Sequence, residues 1–207
     1  MIEYLIMVPV SYLIGAIPFG LLAGKLVAKV DIREYGSGKI GMTNVLRTAG
    51  VTAAAVVLLL DMGKAVAAVV IARLLFDSGG VEAAAALAVI FGHNWPVFIG
   101  FRGGRGTASG WGGLLILSPI AGLIATVIGV SLVGLTRYVS LGSITAAALG
   151  SAVLIALAMI GHEPLVYSWY GIIGGTLIVV RHRDNIQRLL NGTERKIGHK
   201  ADVVSSP

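Results

Sequence analysis

The chain has 207 residues, 56% of them hydrophobic and 13% charged, with a formal net charge of +6 and a mean hydropathy of +0.88. A soluble domain carries about 25% charge, so half that value spread among long apolar runs excludes both an ordinary globular domain and a disordered chain. Cys is absent, which excludes thioester intermediates, cysteine-ligated zinc, disulfides and lipid anchors carried on Cys.

Crossing about 30 Å of hydrocarbon takes roughly 20 apolar residues. Runs of that kind cover residues 2–26, 51–76, 81–99 and 141–159, with a shorter one at 165–180. The first is not a cleavable leader, because Glu3 stands where a basic segment belongs and the run is too long. Residues 107–135 read as one long helix or as two short ones broken at Ser118-Pro119, since Pro restrains the residue before it. Loop charge decides between them. With two helices, Arg137 and the basic tail fall on the same side as the loops around Lys25–Arg47 and Arg102/Arg105. Every Lys and Arg except Arg73 and Lys64 then lies on the cytoplasmic side. The expected fold is an all-α integral membrane protein of seven transmembrane helices, N-terminus periplasmic and C-terminus cytoplasmic, in one domain over 1–207. The cytoplasmic segments are 28–50, 100–107 and 181–200.

Three of these polar segments carry chemistry. The first reads Gly36-Ser37-Gly38-Lys39-Ile40-Gly41-Met42-Thr43-Asn44-Val45-Leu46-Arg47. Its spaced glycines expose backbone N–H groups, and its hydroxyls, amide and two cations suit a phosphate nest, although the Walker order is missing. In the second, Gly92-His93-Asn94-Trp95-Pro96 leads to Phe101-Arg102-Gly103-Gly104-Arg105-Gly106-Thr107, just ahead of a helix N-terminus. Fixed positive charge beside free N–H groups is a seat for a dianion. The third, from Arg181 to Glu194, puts Arg181, Asn185 and Arg188 on one helical face opposite Ile186, Leu189 and Leu190, as an interfacial helix does. Inside the second span, Asp61 and Lys64 are one turn apart, which fits a structural ion pair or a contribution to the site.

Each segment alone also fits a plain positive-inside loop or surface helix. Together they bring enough cations to one face for two phosphorylated groups, and the scattered acidic residues make no Mg²⁺ site, so metal-free chemistry without a cofactor is expected. A transporter of a phosphorylated metabolite and a scaffold for anionic lipid remain open on the residues alone. Nucleic acid is not expected as a partner.

The chain resembles the bacterial membrane acyl-phosphate:glycerol-3-phosphate acyltransferases. The resemblance rests on residues 36–47, on Leu-Asp-Met-Gly-Lys at 60–64, on 92–98 with 101–107, and on 182–194, in that order. It implies transfer of a fatty acyl group from acyl phosphate to the 1-hydroxyl of sn-glycerol 3-phosphate, giving lysophosphatidic acid and inorganic phosphate. That is the first step of membrane phospholipid synthesis, at the cytoplasmic face of the inner membrane, with membrane lipid as the surroundings and a monomer as the expected state. It further implies a catalytic set of Ser37, Asn44, Lys64 and His182. The substrate- and phosphate-binding set is Lys39, Gly41, Thr43, Arg47, Arg102, Gly103, Gly104, Arg105, Gly106, Thr107, Asn185, Arg188 and Glu194. Lys39 departs from the Asn more usual in the family, and Arg102 and Arg105 from Lys, which keeps or adds charge but exchanges a point charge for a fork at the two arginines.

Overall fold

The structure is a computed structural model and describes residues 1–198; Lys200 and the small polar end after it, expected to fray, lie outside the described residues. Among the described residues ten α-helices follow one another: α1 (Ile2–Ala16), α2 (Phe19–Ala23), α3 (Met42–Ala49), α4 (Val51–Phe76), α5 (Gly79–Asn94), α6 (Thr107–Leu117), α7 (Pro119–Thr136), α8 (Val139–Met159), α9 (Ser168–Arg181) and α10 (Arg183–Leu190). Five stretches are long and apolar enough to cross a bilayer: Ile2–Ala28, Val51–Phe76, Gly79–Ile99, Pro119–Thr136 and Val139–Met159. Two shorter apolar helices, Thr107–Leu117 and Leu165–Arg181, pack among them. Large side chains such as Leu5, Leu59, Leu74, Leu123, Val127 and Leu149 are exposed on the outside of the bundle. This is the surface of a protein whose solvent there is lipid.

The breaks have local causes. Ile17-Pro18 interrupts the first run, so the expected single helix over 2–26 is instead α1, α2 and a π turn at Gly24–Ala28. Ser118 ends α6 and caps α7, its hydroxyl accepting from Ala121 N–H at 3.5 Å with Pro119 in the first turn. The 107–135 run is therefore two helices, and α6, at 11 residues, spans only about 16 Å. Residues 28–50 are not all loop: Gly50, at φ +89°, separates α3 from α4.

Packing is tight where glycine replaces a side chain. A Cβ at Gly92 would collide with the Tyr12 carbonyl, and one at Gly15 with the Val89 carbonyl, so α1 and α5 lie backbone against backbone. At the end remote from the polar segments, Glu82 accepts from Arg73 at 2.6 Å and from Tyr167 at 2.8 Å, pinning α4, α5 and the start of α9 together. That leaves the opposite end, where segments 28–50, 100–107 and 181–198 gather, to carry the chemistry.

Candidate active site

Those three segments meet around one cavity of about 520 Å³. Its polar end is lined by Ser37, Lys39, Gly41, Thr43, Arg47, Arg105, Gly106, Thr107, His182, Asn185, Glu194 and Arg195. From there it continues between α6, α7, α8 and α9 past Trp111, Leu114, Ala125, Val130, Ala146, Ala147 and Tyr170. A polar annex of about 180 Å³ adjoins it, formed by Gly36, Arg188 and five residues of the main cavity: Ser37, Arg47, Asn185, Glu194 and Arg195.

The first segment is held by Asn44. Its amide donates to the carbonyls of Ile32 (2.7 Å), Lys39 (2.9 Å) and Tyr35 (3.1 Å), and its oxygen accepts from Ser37 N–H at 3.3 Å. With 2% of its surface exposed and both polar atoms engaged, Asn44 shapes the loop and has no donor left for an oxyanion. What it achieves is to present Ser37 and Lys39 to the cavity. The second half of this segment is not a nest but helix α3, which carries Thr43 and Arg47 on its cavity face.

The second segment divides sharply. Arg102 is exposed and outside the cavity. Gly103 and Gly104 are buried against the end of α5: a Cβ at Gly104 would collide with His93 Nε2, one at Gly103 with the His93 carbonyl, and Gly104 N–H donates to that carbonyl at 3.0 Å. Both glycines pack against the end of α5, and neither lines the cavity. The loop reaches the cavity one step further on. Gly106, at φ +81°, turns the chain into α6, whose first turn has no side-chain cap among the described residues and opens on the cavity at Thr107 and Ala108. Arg105 stands beside it, and its Nε has no hydrogen-bond partner among the described residues.

In the third segment α9 ends at Arg181 and α10 starts at Arg183, so Arg181 does not share a helix with Asn185 and Arg188 as expected. It instead donates to the Gly104 carbonyl at 2.9 Å and lies over the Trp95 ring, tying the third segment to the second. Glu194, which lines both the cavity and its annex, is a hub of hydrogen bonds. One of its oxygens accepts from Asn185 (2.8 Å) and Ser140 (3.0 Å), the other from Arg188 (2.8 Å). His182 faces the cavity, and its Nδ1 must carry the proton because it lies 2.7 Å from the Ile178 carbonyl, which can only accept. Nε2 is thereby left as an acceptor.

Lys64 is placed behind the cavity wall and does not line it. Its ammonium faces Asp61 Oδ1 at 2.8 Å, the Gly15 carbonyl at 2.9 Å and His93 Nδ1 at 2.9 Å. Its hydrogen bonds go to the Gly15 carbonyl and His93 Nδ1, and its charge is paired with Asp61. Asp61 and His93 do reach the cavity surface.

The polar end gathers several buried or half-buried cations around the Glu194 carboxylate. Burial, then the nearby Arg181 and Arg105, push Lys39 below its ordinary pKa. Burial, then Arg195, lower Arg47, and burial pushes Arg105 down to about 10. Burial and mutual repulsion disfavour the charged forms, and a negative charge placed among them would act in the opposite direction. Burial likewise pushes His182 down to about 4, with Arg105 adding to the effect, so its ring is neutral at pH 7. The sequence missed Arg195, whose carbonyl accepts from Arg47 at 3.5 Å, and Ser140. Both lie in stretches without motif character, and only the proximity of Ser140 to Arg137 at a span end hinted at its position.

Fold and site together define an integral, multi-pass membrane protein whose cation-rich polar cavity runs without interruption into an apolar slot. The chain belongs to the glycerol-3-phosphate acyltransferase family, whose model matches residues 5–192. Glycerol-3-phosphate acyltransferase 3 of Dehalococcoides mccartyi is 45% identical over 211 residues, covering 96% of this chain and 98% of its own. Glycerol-3-phosphate acyltransferase of Thermoanaerobacter pseudethanolicus is 46% identical over 194 residues, with 94% and 96% covered. Among solved structures, the crystal structure of PlsY (YgiH), an integral membrane glycerol 3-phosphate acyltransferase, in its glycerol 3-phosphate form, superposes with a TM-score of 0.84 at 38% identity. It covers 94% of this chain and 96% of that one. The lysophosphatidic acid form gives a TM-score of 0.83.

Proposed function

We propose that this protein transfers a fatty acyl group from acyl phosphate to the 1-hydroxyl of sn-glycerol 3-phosphate, releasing lysophosphatidic acid and inorganic phosphate, as the first step of phospholipid synthesis in the bacterial inner membrane. The observation that carries the reading is the single cavity with a cationic end and an apolar end. Such a cavity suits a polar diol phosphate and a lipidic donor in contact with each other. A transporter has no need of an apolar slot closed inside one end of the bundle, and a lipid scaffold has no need of the interior.

In the proposed step the hydroxyl oxygen attacks the acyl carbonyl carbon, the acyl C–O(phosphate) bond breaks, and phosphate leaves with the electron pair. Arg105, Lys39 and the open first turn of α6 neutralise the phosphate nearest the slot, while Arg47, with Arg188 and Arg195 at the annex, holds the other. Ser37 and the Nε2 of His182 orient the glycerol hydroxyls. The mixed anhydride is already activated, so no acyl-enzyme is needed. The proton goes to a phosphate oxygen of the substrates, whose second pKa of about 6 suits it to accept at neutral pH. His182→Gln is therefore expected to lower kcat by about tenfold or less, whereas a true general base would give up about 10²–10⁴; single-turnover kinetics in detergent separates the two. Purified protein should yield one lysophosphatidic acid and one phosphate per acyl phosphate consumed, both dependent on glycerol 3-phosphate. Phosphate release that ignores glycerol 3-phosphate would reject the transfer.

The proposal also assigns seven crossings, the five long helices with α6 and α9, and puts the three segments in the cytoplasm with the N-terminus periplasmic, as the bias of Lys and Arg requires. Because the chain has no native Cys, single replacements report directly. In intact cells a membrane-impermeant maleimide should label Glu3→Cys and leave Asn191→Cys untouched until the cells are opened. The reverse pattern would invert the topology.

A further inference from the structure

We propose that the apolar slot ends in a rigid floor that measures the acyl chain, built by Leu114 of α6, Ala125 of α7, Ser151 of α8 and Tyr170 of α9. The proposal rests on the acyltransferase reading and adds to it the length of donor that the site selects. Along each helix these are the cavity-lining residues furthest from the polar end, which is marked by Thr107, Gly134, Val139 and His182 on the same four helices. What lies beyond them is closed. Leu117, Ala121, Leu154 and Tyr167 stand about one turn deeper on the same helices, are at most 5% exposed, and pack with Leu114, Ala125 and Tyr170 in one cluster.

The floor cannot easily yield. Tyr170 is fixed by its hydroxyl, which donates to the Gly110 carbonyl at 2.6 Å, and Ser151 sits so close to α9 that a Cβ at Gly175 would collide with its hydroxyl. Native interiors of this kind resist added volume. The depth follows from helix geometry: the deepest walls, His182 to Tyr170 and Val139 to Ser151, are twelve residues each, about 18 Å at 1.5 Å per residue, while Thr107 to Leu114 and Gly134 to Ala125 are seven and nine. An extended hydrocarbon chain of about 14 to 16 carbons reaches that far. Shorter donors leave part of the slot unfilled and forgo its packing contacts, and longer ones must bend or displace the floor.

The test is kcat/KM for acyl phosphates of 10 to 20 carbons, read as ratios between lengths so that a partly inactive preparation cancels. The native chain should rise to a maximum at about 14 to 16 carbons and fall about tenfold by 20. Ala147→Leu adds bulk one turn above Ser151, about 6 Å nearer the polar end, and should lower the 16-to-10-carbon ratio at least about tenfold. Leu114→Ala removes part of the floor and should raise the 20-to-16-carbon ratio. A profile flat with length, or a loss in both variants that runs parallel across all lengths, overturns the floor while leaving the acyltransferase reading intact. Absence of product from the native chain at every length rejects that reading itself.

Discussion

Arg105→Ala is expected to lower kcat/KM with acyl phosphate by about 10²–10³-fold, the loss typical of removing one preorganised donor from a site of developing negative charge. Three features single this residue out from the other cations. It is mostly enclosed, its Nε has no partner among the described residues, and it stands beside the uncapped first turn of α6. An arginine so placed is held at a cost, with its pKa pushed down to about 10, and an incoming phosphate relieves that cost. Arg105→Lys keeps the charge but not the fork, so it should recover most of the activity and leave a residual defect in KM. By contrast Arg102→Ala, on the exposed side of the same loop, should change little. Initial rates over a matrix of both substrate concentrations separate these effects; equal losses at 102 and 105 would show that the loop acts only through its overall charge.

The second large effect is on stability. Lys64→Met leaves the Asp61 carboxylate, 1% exposed, without its ammonium, and Asp61→Asn leaves the ammonium without its carboxylate. Breaking one side of a buried pair costs about 3–5 kcal/mol, a large part of the stability of a single domain. Either variant should therefore show a sharply lower Tm in detergent. The double variant, in which no charge is stranded, should recover much of the loss. If the single variants were as stable as the native chain but inactive, Lys64 would have to reach substrate after all, against its engagement by Gly15, Asp61 and His93.

Much of this architecture was legible in the sequence because it follows from uninterrupted hydropathy and from proline. The run at 51–76 became α4 to the residue, and Ser118-Pro119 became the joint between α6 and α7. Ile17-Pro18 carries the same signal in the first span, where the surrounding apolar run masked it. The polar end was legible as a set of segments but not atom by atom. A motif marks Asn44, Gly104, Glu194 and Lys64 as polar or glycine-rich positions near the site. Whether an amide points at substrate or at its own loop, as Asn44 does, is decided by tertiary contacts that local pattern does not encode. The apolar slot was illegible for a different reason. Its lining of Ala, Gly, Val and Ser on α7 and α8 has the same character as the lipid-facing and helix-facing surfaces of those helices, so only their packing distinguishes an interior wall from an exterior one.

The central claim, that one cavity seats two phosphorylated substrates and passes the acyl group directly between them, is tested most directly by the choice of donor. Purified protein with sn-glycerol 3-phosphate is offered palmitoyl phosphate or palmitoyl coenzyme A at equal concentration, and lysophosphatidic acid is quantified by mass spectrometry. The account predicts product from the phosphate alone, because the polar end provides cations for two compact phosphates and is spanned by residues 194–197, with Glu194 bonded to Ser140 and Ile197 to Arg137. Product from the coenzyme A ester equal to or greater than that from the phosphate would contradict it.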